Sequence, residues 1–483
     1  MPYNFLPCNR DQAYLLPPSV RDWLPENHPA WFVIDAVEQM DLSALYARHR
    51  ADGWGAAGFE PKMMTTLLLY AYCTGERSSR RIEMSCAVRR ALWLCERDIA
   101  FRVIAANQRP DHSTISRFRQ ANGAALEGLF VDILRLCAEA GLVKLGMVAL
   151  DGTKIKANAA LSANRTSGAL EEEVKKMLAE AAQADAKEDA LYGKDRRGDE
   201  LPEELQSRKG RLARLKECLE RLAREASGKS AEAARKIEQR RSEEAATGKK
   251  KRGRKPGDPD AAVRAGAKAN VSDQERADYC ARPESRIKSA QITARDMKTA
   301  KGYVQGYNAQ AVSTAEQIIA AADVTQEAND AGQPAGMLAQ AQSNAAAVGM
   351  AGKIGTGLMD AGYWSEKNVE DLSGRGAPEV LIATTKDWKQ RKALRECSPP
   401  RGRVPKHLGA RERMERKLLT KRGRALCRLR SQTIEPIFGQ IKTVRGCDRF
   451  MRRGHEAARS EWRLICGAHN LPKLFRSGKA GWN

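Results

Sequence analysis

The spacing of apolar positions divides the chain into stretches of different period. Val33, Val37, Met40, Leu42 and Leu45 recur at helical spacing. Pro61 then opens a strongly apolar helix over Met63 to Thr74, because proline's missing N–H has no intrahelical partner at the first helical position. A further helix is predicted from about Ser79 to Leu94, with Ile82, Cys86, Val88 and Leu92 on its apolar side. Ser113 starts another, which carries Arg117 and Arg119 and leads to a helix over Leu126–Ala140. These short helices fit a helix-turn-helix-like DNA reader and fit equally a helical bundle docked on the rest of the chain.

Residues 148–158 read instead as a strand. The chain then returns to helical spacing, first at Leu170, Val174, Met177 and Ala181, then after Pro202 at Leu205, Leu212, Leu215, Leu219 and Leu222. Gly193 and Gly198 break the two runs, which predicts an antiparallel helical hairpin, either a dimerisation arm or an insertion. A basic linker follows, six of the eight residues from 249 to 256 being Lys or Arg. Its Arg252-Gly253-Arg254 core fits an AT-hook that lays arginines in the minor groove, or a loop that contacts phosphates alone.

Strand patterns resume with Tyr303–Val312 and Gln317–Thr325, which form a hairpin across a Ser-Thr turn. A helix over about 331–348, a strand over 353–359, a helix near 366–372 and a strand over 379–384 come next. A basic irregular stretch leads to a helix holding Glu435 and another over about 456–474. That order predicts a mixed sheet covered by helices. Right-handed crossovers place the ends of the first and fourth strands side by side, bringing Asp151 and Asp360 together although they lie 209 positions apart.

At 483 residues, with 42% hydrophobic and 30% charged, the chain has room for two or three globular domains. Its formal charge of +23 is unevenly spread: residues 386–483 hold 27 Lys and Arg against 8 Asp and Glu, a net of +19. Such a block favours a polyanion, most often DNA or RNA, whereas a solubilising surface usually mixes both signs. No run approaches the ~18 consecutive apolar residues of a membrane span. Met1 to Arg10 show no secretory pattern. The 11 cysteines are scattered without metal-ligand spacing and read as free thiols of a reducing cytosol, with Cys137 and Cys466 in the core.

In this basic chain three acids stand in distinctive frames. Asp151 ends the apolar run Met147–Leu150, Asp360 ends Gly357–Met359, and Glu435 sits in Ile434-Glu435-Pro436-Ile437-Phe438-Gly439. Paired divalent ions about 3.5–4 Å apart activate the attacking oxygen and stabilise the leaving one at a phosphodiester. Magnesium takes hard oxygen ligands, so a few carboxylates suffice. Each acid also has a plainer reading: a strand-end Asp is commonly a turn former or helix cap, Glu435 fits a solvated helix face as Glu412 and Glu415 do, and Asp323 is a rival on pattern. Trp364 and Trp462 fit either core packing or stacking on a base.

Several ordered motifs resemble the DDE transposases of bacterial insertion sequences. They are Asp151-Gly-Thr-Lys-Ile-Lys-Ala-Asn158, Lys301-Gly-Tyr-Val-Gln-Gly-Tyr-Asn-Ala-Gln310, Asp360-Ala-Gly-Tyr-Trp364 and Glu435-Pro-Ile-Phe-Gly-Gln-Ile-Lys442, preceded by Arg77–Glu83 and Pro110–Arg119. The resemblance covers nearly the whole chain, with 168–300 the least recognisable part. It implies an α/β RNase H-like catalytic domain, a mixed sheet flanked by helices, split by a helical insertion and preceded by an all-α domain. The implied divisions are 1–140 for a helical DNA-binding domain, 145–165 for the first part of the catalytic domain, 166–300 for a helical hairpin insertion with the basic linker, and 301–483 for the remaining catalytic domain and basic C-terminal helices.

The resemblance further implies a Mg²⁺-dependent reaction, Mn²⁺ being an alternative ion. Water cleaves at the element's end, and the freed 3′-hydroxyl attacks target DNA. Asp151, Asp360 and Glu435 match the catalytic metal ligands. Relatives carry Tyr-x2-Arg-x3-Glu-x6-Lys around the glutamate; Arg430 and Lys442 match its Arg and Lys as DNA contacts, while Cys427 stands at the Tyr position and four residues separate Arg430 from Glu435. Further DNA contacts are expected at Arg117, Arg119, Arg252 and Arg254. The expected partners are double-stranded DNA, both terminal inverted repeats and target, and a second copy in a homodimer or larger synaptic assembly. The expected setting is the bacterial cytoplasm, at the nucleoid, with no membrane. Two rivals remain: a metal-dependent nuclease that does not join ends, and a DNA-binding protein without catalysis, against which the presence of all three acids speaks.

Overall fold

A computed structural model of the chain describes Leu6, residues 20–50, 57–86, 96–158, 302–374, 377–385 and 396–482 apart from 403 and 406, with scattered positions at 164–299 and 387–390. Most of the helical hairpin expected within 166–300 lies outside the described residues, and the scattered positions described between 172 and 245 are helical; Arg252, Arg254 and positions 87–94 of the helix expected to reach Leu94 also lie outside them.

The sheet is built around β1 (Met147–Lys156). Its first half, Val148, Ala149 and Leu150, is wholly buried, the continuous apolar run of a strand covered on both faces. β2 (Gly302–Thr314) pairs antiparallel with β1 from Val148↔Thr314 to Lys156↔Gly306. β3 (Ile319–Thr325) pairs antiparallel with β2, with a register irregularity between Val312 and Ser313. On the other side of β1 lie β4 (Thr356–Met359) and then β5 (Glu379–Ile382), both parallel. The order is therefore β3-β2-β1-β4-β5, and a short strand at Asp296–Thr299 pairs antiparallel with the start of β2. The expected mixed sheet is present, and the first and fourth of its expected strands are neighbours.

Helical elements precede the sheet: α1 (Pro29–Glu38), α2 (Ser43–Tyr46), α3 (Pro61–Cys73), α4 (Ser79–Cys86), α5 (Glu96–Ile104), α6 (His112–Ala121) and α7 (Gly123–Glu139). The single helical run read over 33–45 is thus two elements. α6 starts one residue earlier than expected because Asp111, not Ser113, caps it: the Asp111 carboxylate accepts from the Thr114 N–H at 2.8 Å. Between β3 and β5 come α8 (Pro334–Ala347) and α9 (Glu366–Asp371), and after β5 come α10 (Ala410–Leu419) and α11 (Lys421–Thr433).

Glu435 is not inside a long helix. α11 stops at Thr433, a five-residue helix α12 (Glu435–Gly439) begins at the acid, and a π-helical turn covers Gln440–Val444. Pro436 explains the break, since its ring excludes the carbonyl four residues back and it offers no N–H.

α13 (His455–Ser477) binds the layers together by packing against α7, α3 and β3. Trp462 on α13 is fully buried and donates its indole N–H to the Gln310 carbonyl at 2.8 Å, so it belongs to the core. Asn470 closes the outer edge of β3, accepting from Ile319 N–H and donating to Ile319 C=O, each at 2.9 Å. Buried residues of the early helices and of the sheet form one cluster. Among the described residues no helix is long and apolar enough to cross a membrane.

Candidate active site at the ends of two parallel strands

β1 and β4 run parallel with Leu150 opposite Met359. β4 stops there while β1 continues, so Asp151 and Asp360 follow side by side at the strand ends. Each carboxylate is oriented by its own backbone: Asp151 accepts from Gly152 N–H at 2.8 Å, and Asp360 accepts from Gly362 N–H at 2.7 Å. The Asp151 side chain is 19% exposed. Burial pushes its carboxyl up to about 6; Arg430 opposes that rise and Asp360 adds to it.

Arg430 joins two of the three acids. Its guanidinium reaches Asp151 at 3.0 Å and Glu435 at 3.3 Å. The break between α11 and α12 makes this possible, since it sets Glu435 off the regular track of the helix that carries Arg430. Glu435 remains 55% exposed. A cavity of about 390 Å³ opens beside them, lined among others by Asp360, Cys427, Arg430, Ser431 and Glu435. Glu415, read from sequence as a solvated helix residue, also lines it and accepts from the Thr384 hydroxyl at 2.9 Å.

Lys442, in the π-helical turn, donates to the Thr153 hydroxyl at 3.1 Å and the Lys154 carbonyl at 3.0 Å. It is thereby tied to β1 just beyond Asp151. Its half-buried ammonium has a pKa below the usual value, chiefly through desolvation.

The other expected site residues lie elsewhere. Asp323 stands opposite Gln310, which stands opposite Gly152, so strand alternation puts it on the far face of the sheet from Asp151. Arg119, expected on a DNA-facing surface, is a buried residue at 7% exposure: its guanidinium donates to the Arg77 carbonyl at 2.8 Å and to the Ser79 hydroxyl. Arg117 on the same helix is exposed and bonds Ser113 at 2.9 Å. Trp364 is partly buried against the core.

Oxygen donors at Asp151 and Asp360 have the hard character a divalent Mg²⁺ takes. Among the described residues, however, no group of three or more His, Cys, Asp or Glu side chains converges as a metal cage would. The cation that bridges Asp151 and Glu435 is the Arg430 guanidinium. The Asp151 and Asp360 carboxylates fit a divalent ion in donor chemistry, and Glu435 is linked to Asp151 through Arg430.

Sequence reading quoted Asn308, Gln310 and Tyr363 within motifs without giving them a role and overlooked Asp330; all four lie behind the acids. A signal existed for two of them: Asn308 and Gln310 are two apart on a strand, so both amides share one face.

Residues 18–121 match the model of a transposase domain, and residues 402–475 match that of a transposase DDE domain. The second match spans Arg430, Glu435 and Lys442. No curated protein and no solved structure matches the chain. Both models describe transposase domains, and each match covers less than half of the chain.

Proposed function

We propose, on the premise that a chain with both transposase domains acts in transposition, that it cleaves DNA at the ends of its element and joins them to target DNA with a divalent metal, Mg²⁺ or Mn²⁺. The observation that carries this reading is the adjacency of Asp151 and Asp360 at the ends of parallel neighbours, with Glu435 joined to Asp151 through Arg430. The strand order β3-β2-β1-β4-β5, with β2 antiparallel to β1, is compatible with an RNase H-like fold.

Asp151, Asp360 and Glu435 are the residues that would hold the metal. When bound, it supplies charge neutralisation at the scissile phosphate and activates the attacking oxygen. The protein's own groups do the rest. Arg430, freed from Asp151, turns to a phosphate oxygen, where a guanidinium binds in two-point fashion. Lys442, tied to the Thr153 hydroxyl and the Lys154 carbonyl, places a second positive charge beside β1. The net charge of +19 over residues 386–483 draws the DNA backbone toward the cavity. Arg117, and Arg252 and Arg254 in the linker, add phosphate or groove contacts, and two copies bring two element ends together.

A nuclease that cuts without joining uses the same acids. Incubating the chain and Mg²⁺ with pre-cut element ends and a target plasmid separates the two. Covalently joined products support the transposase, and cleavage of uncut ends without joining overturns strand transfer.

A further inference from the structure

The face of the sheet away from Asp151 carries a buried polar network. Register places Gln310 opposite Gly152 and Asn308 opposite Lys154. Asn308 and Gln310 are both buried. Their amides donate to one oxygen of Asp330, Asn308 Nδ2 at 2.6 Å and Gln310 Nε2 at 2.8 Å, and the Lys154 ammonium lies 3.5 Å from it. Gln310 Oε1 accepts from the hydroxyl of Tyr363, which is fully buried and sits three residues after Asp360.

This network touches both acid-bearing strand ends. On the Asp360 side, Tyr363 belongs to the same turn, its N–H bonded to the Asp360 carbonyl at 3.3 Å. On the Asp151 side, the network fills the space over Gly152. A Cβ there would overlap the Gln310 amide nitrogen and lie 2.9 Å from Asp330 Oδ1 and 3.0 Å from Asn308 Oδ1. An apolar filling would cover the sheet without the desolvation cost of buried amides and a carboxylate. What the polar version adds is direction, because satisfied hydrogen bonds fix the side chains and backbones they join.

We propose that Gln310, Asp330 and Tyr363 are positioning residues for the acidic pair. Gln310 couples the turn after Asp360 to the backbone after Asp151 and so sets the separation of the two carboxylates. This rests on the reading that those carboxylates hold a divalent ion. Partners behind metal ligands typically change metal affinity by about 10–100-fold when altered.

The test is Mn²⁺ binding to the purified full chain, followed by the electron paramagnetic resonance of free Mn²⁺, with melting temperature measured alongside. Tyr363→Phe deletes one hydroxyl, and Gln310→Glu sets a carboxylate against Asp330. Each is expected to weaken Mn²⁺ binding about 10-fold. The double variant Gln310→Glu/Asp330→Asn exchanges donor and acceptor and is expected to recover most of that loss. Asp360→Asn is the control and should abolish the binding. If Asp360→Asn abolishes it while Tyr363→Phe and Gln310→Glu bind within twofold of wild type, the positioning role is overturned alone, even if their melting temperatures fall. If the wild type binds no Mn²⁺, or Asp360→Asn binds it equally well, the metal-site reading fails and takes this proposal with it.

Discussion

Replacing Arg77 by methionine should expose how the segment before α13 is held against the sheet. Glu461 on α13 is 1% exposed and faces Arg77 at 3.1 Å. The same guanidinium donates to the carbonyls of Arg449 at 2.6 Å and Gly446 at 2.9 Å. That segment in turn continues the pairing of β1, with Phe450 N–H donating to the Lys156 carbonyl at 2.8 Å and Lys156 N–H to the Asp448 carbonyl at 3.0 Å. In Arg77→Met, Glu461 keeps the backbone N–H groups of Met451 and Arg452 but loses its facing cation. Removing one partner of a buried pair costs about 3–5 kcal/mol. The cost comes from a stranded charge, so removing that charge as well should relieve it: Arg77→Met/Glu461→Gln should be less destabilised than the sum of its single variants by at least ~1 kcal/mol. Urea unfolding of the four proteins, fitted over the transition that contains α13, measures this. A cost under ~1 kcal/mol for Arg77→Met, or single effects that add within ~0.5 kcal/mol, would refute the reasoning.

Gly152→Ala pushes a methyl group into the Gln310–Asp330 network and should cost about 1–3 kcal/mol by urea unfolding; an unchanged midpoint contradicts the close packing. Asp151 has a folded-state pKa raised from 3.8 to about 6, so its contribution to stability is complete below about pH 3.8 and is lost as pH rises through 6. Asp151→Asn escapes that loss. Its stability relative to wild type should improve by up to ~3 kcal/mol between pH 4 and pH 7, and a difference independent of pH argues against the raised value. Lys442→Met should lower the slope of log affinity against log salt for a double-stranded oligonucleotide by about one, whereas an unaltered slope removes Lys442 from the phosphate contacts.

The parts of the fold written in local pattern were legible before the structure. Apolar runs that stop at an acid located both aspartates, and the alternation of strands and helices was enough to make their strands neighbours. Glu435 was legible as a residue but not as a geometry. Pro436 signalled the helix break, yet a proline near a helix start is also compatible with continuation of the chain's helical path, and the link to Arg430 needed the fold. Arg119 carried a readable warning: it stands four residues after the buried Ile115, hence on the same helix face. Its charge suggested a surface, but the Arg77 carbonyl and Ser79 supply what a buried guanidinium needs. Asp330 had no local signal. It lies in a loop, and its partners are amides some 20 residues away whose meeting is settled by strand register.

The central claim is that Asp151, Asp360 and Glu435 serve one metal-dependent cleavage of DNA. It is tested most directly by Asp360→Asn, assayed on DNA carrying the element's own ends. The account predicts that Mg²⁺-dependent cleavage is abolished while affinity for the same DNA stays within about twofold, because Asp360 makes no part of the basic surface proposed to bind phosphates. Cleavage undiminished in that variant would contradict it.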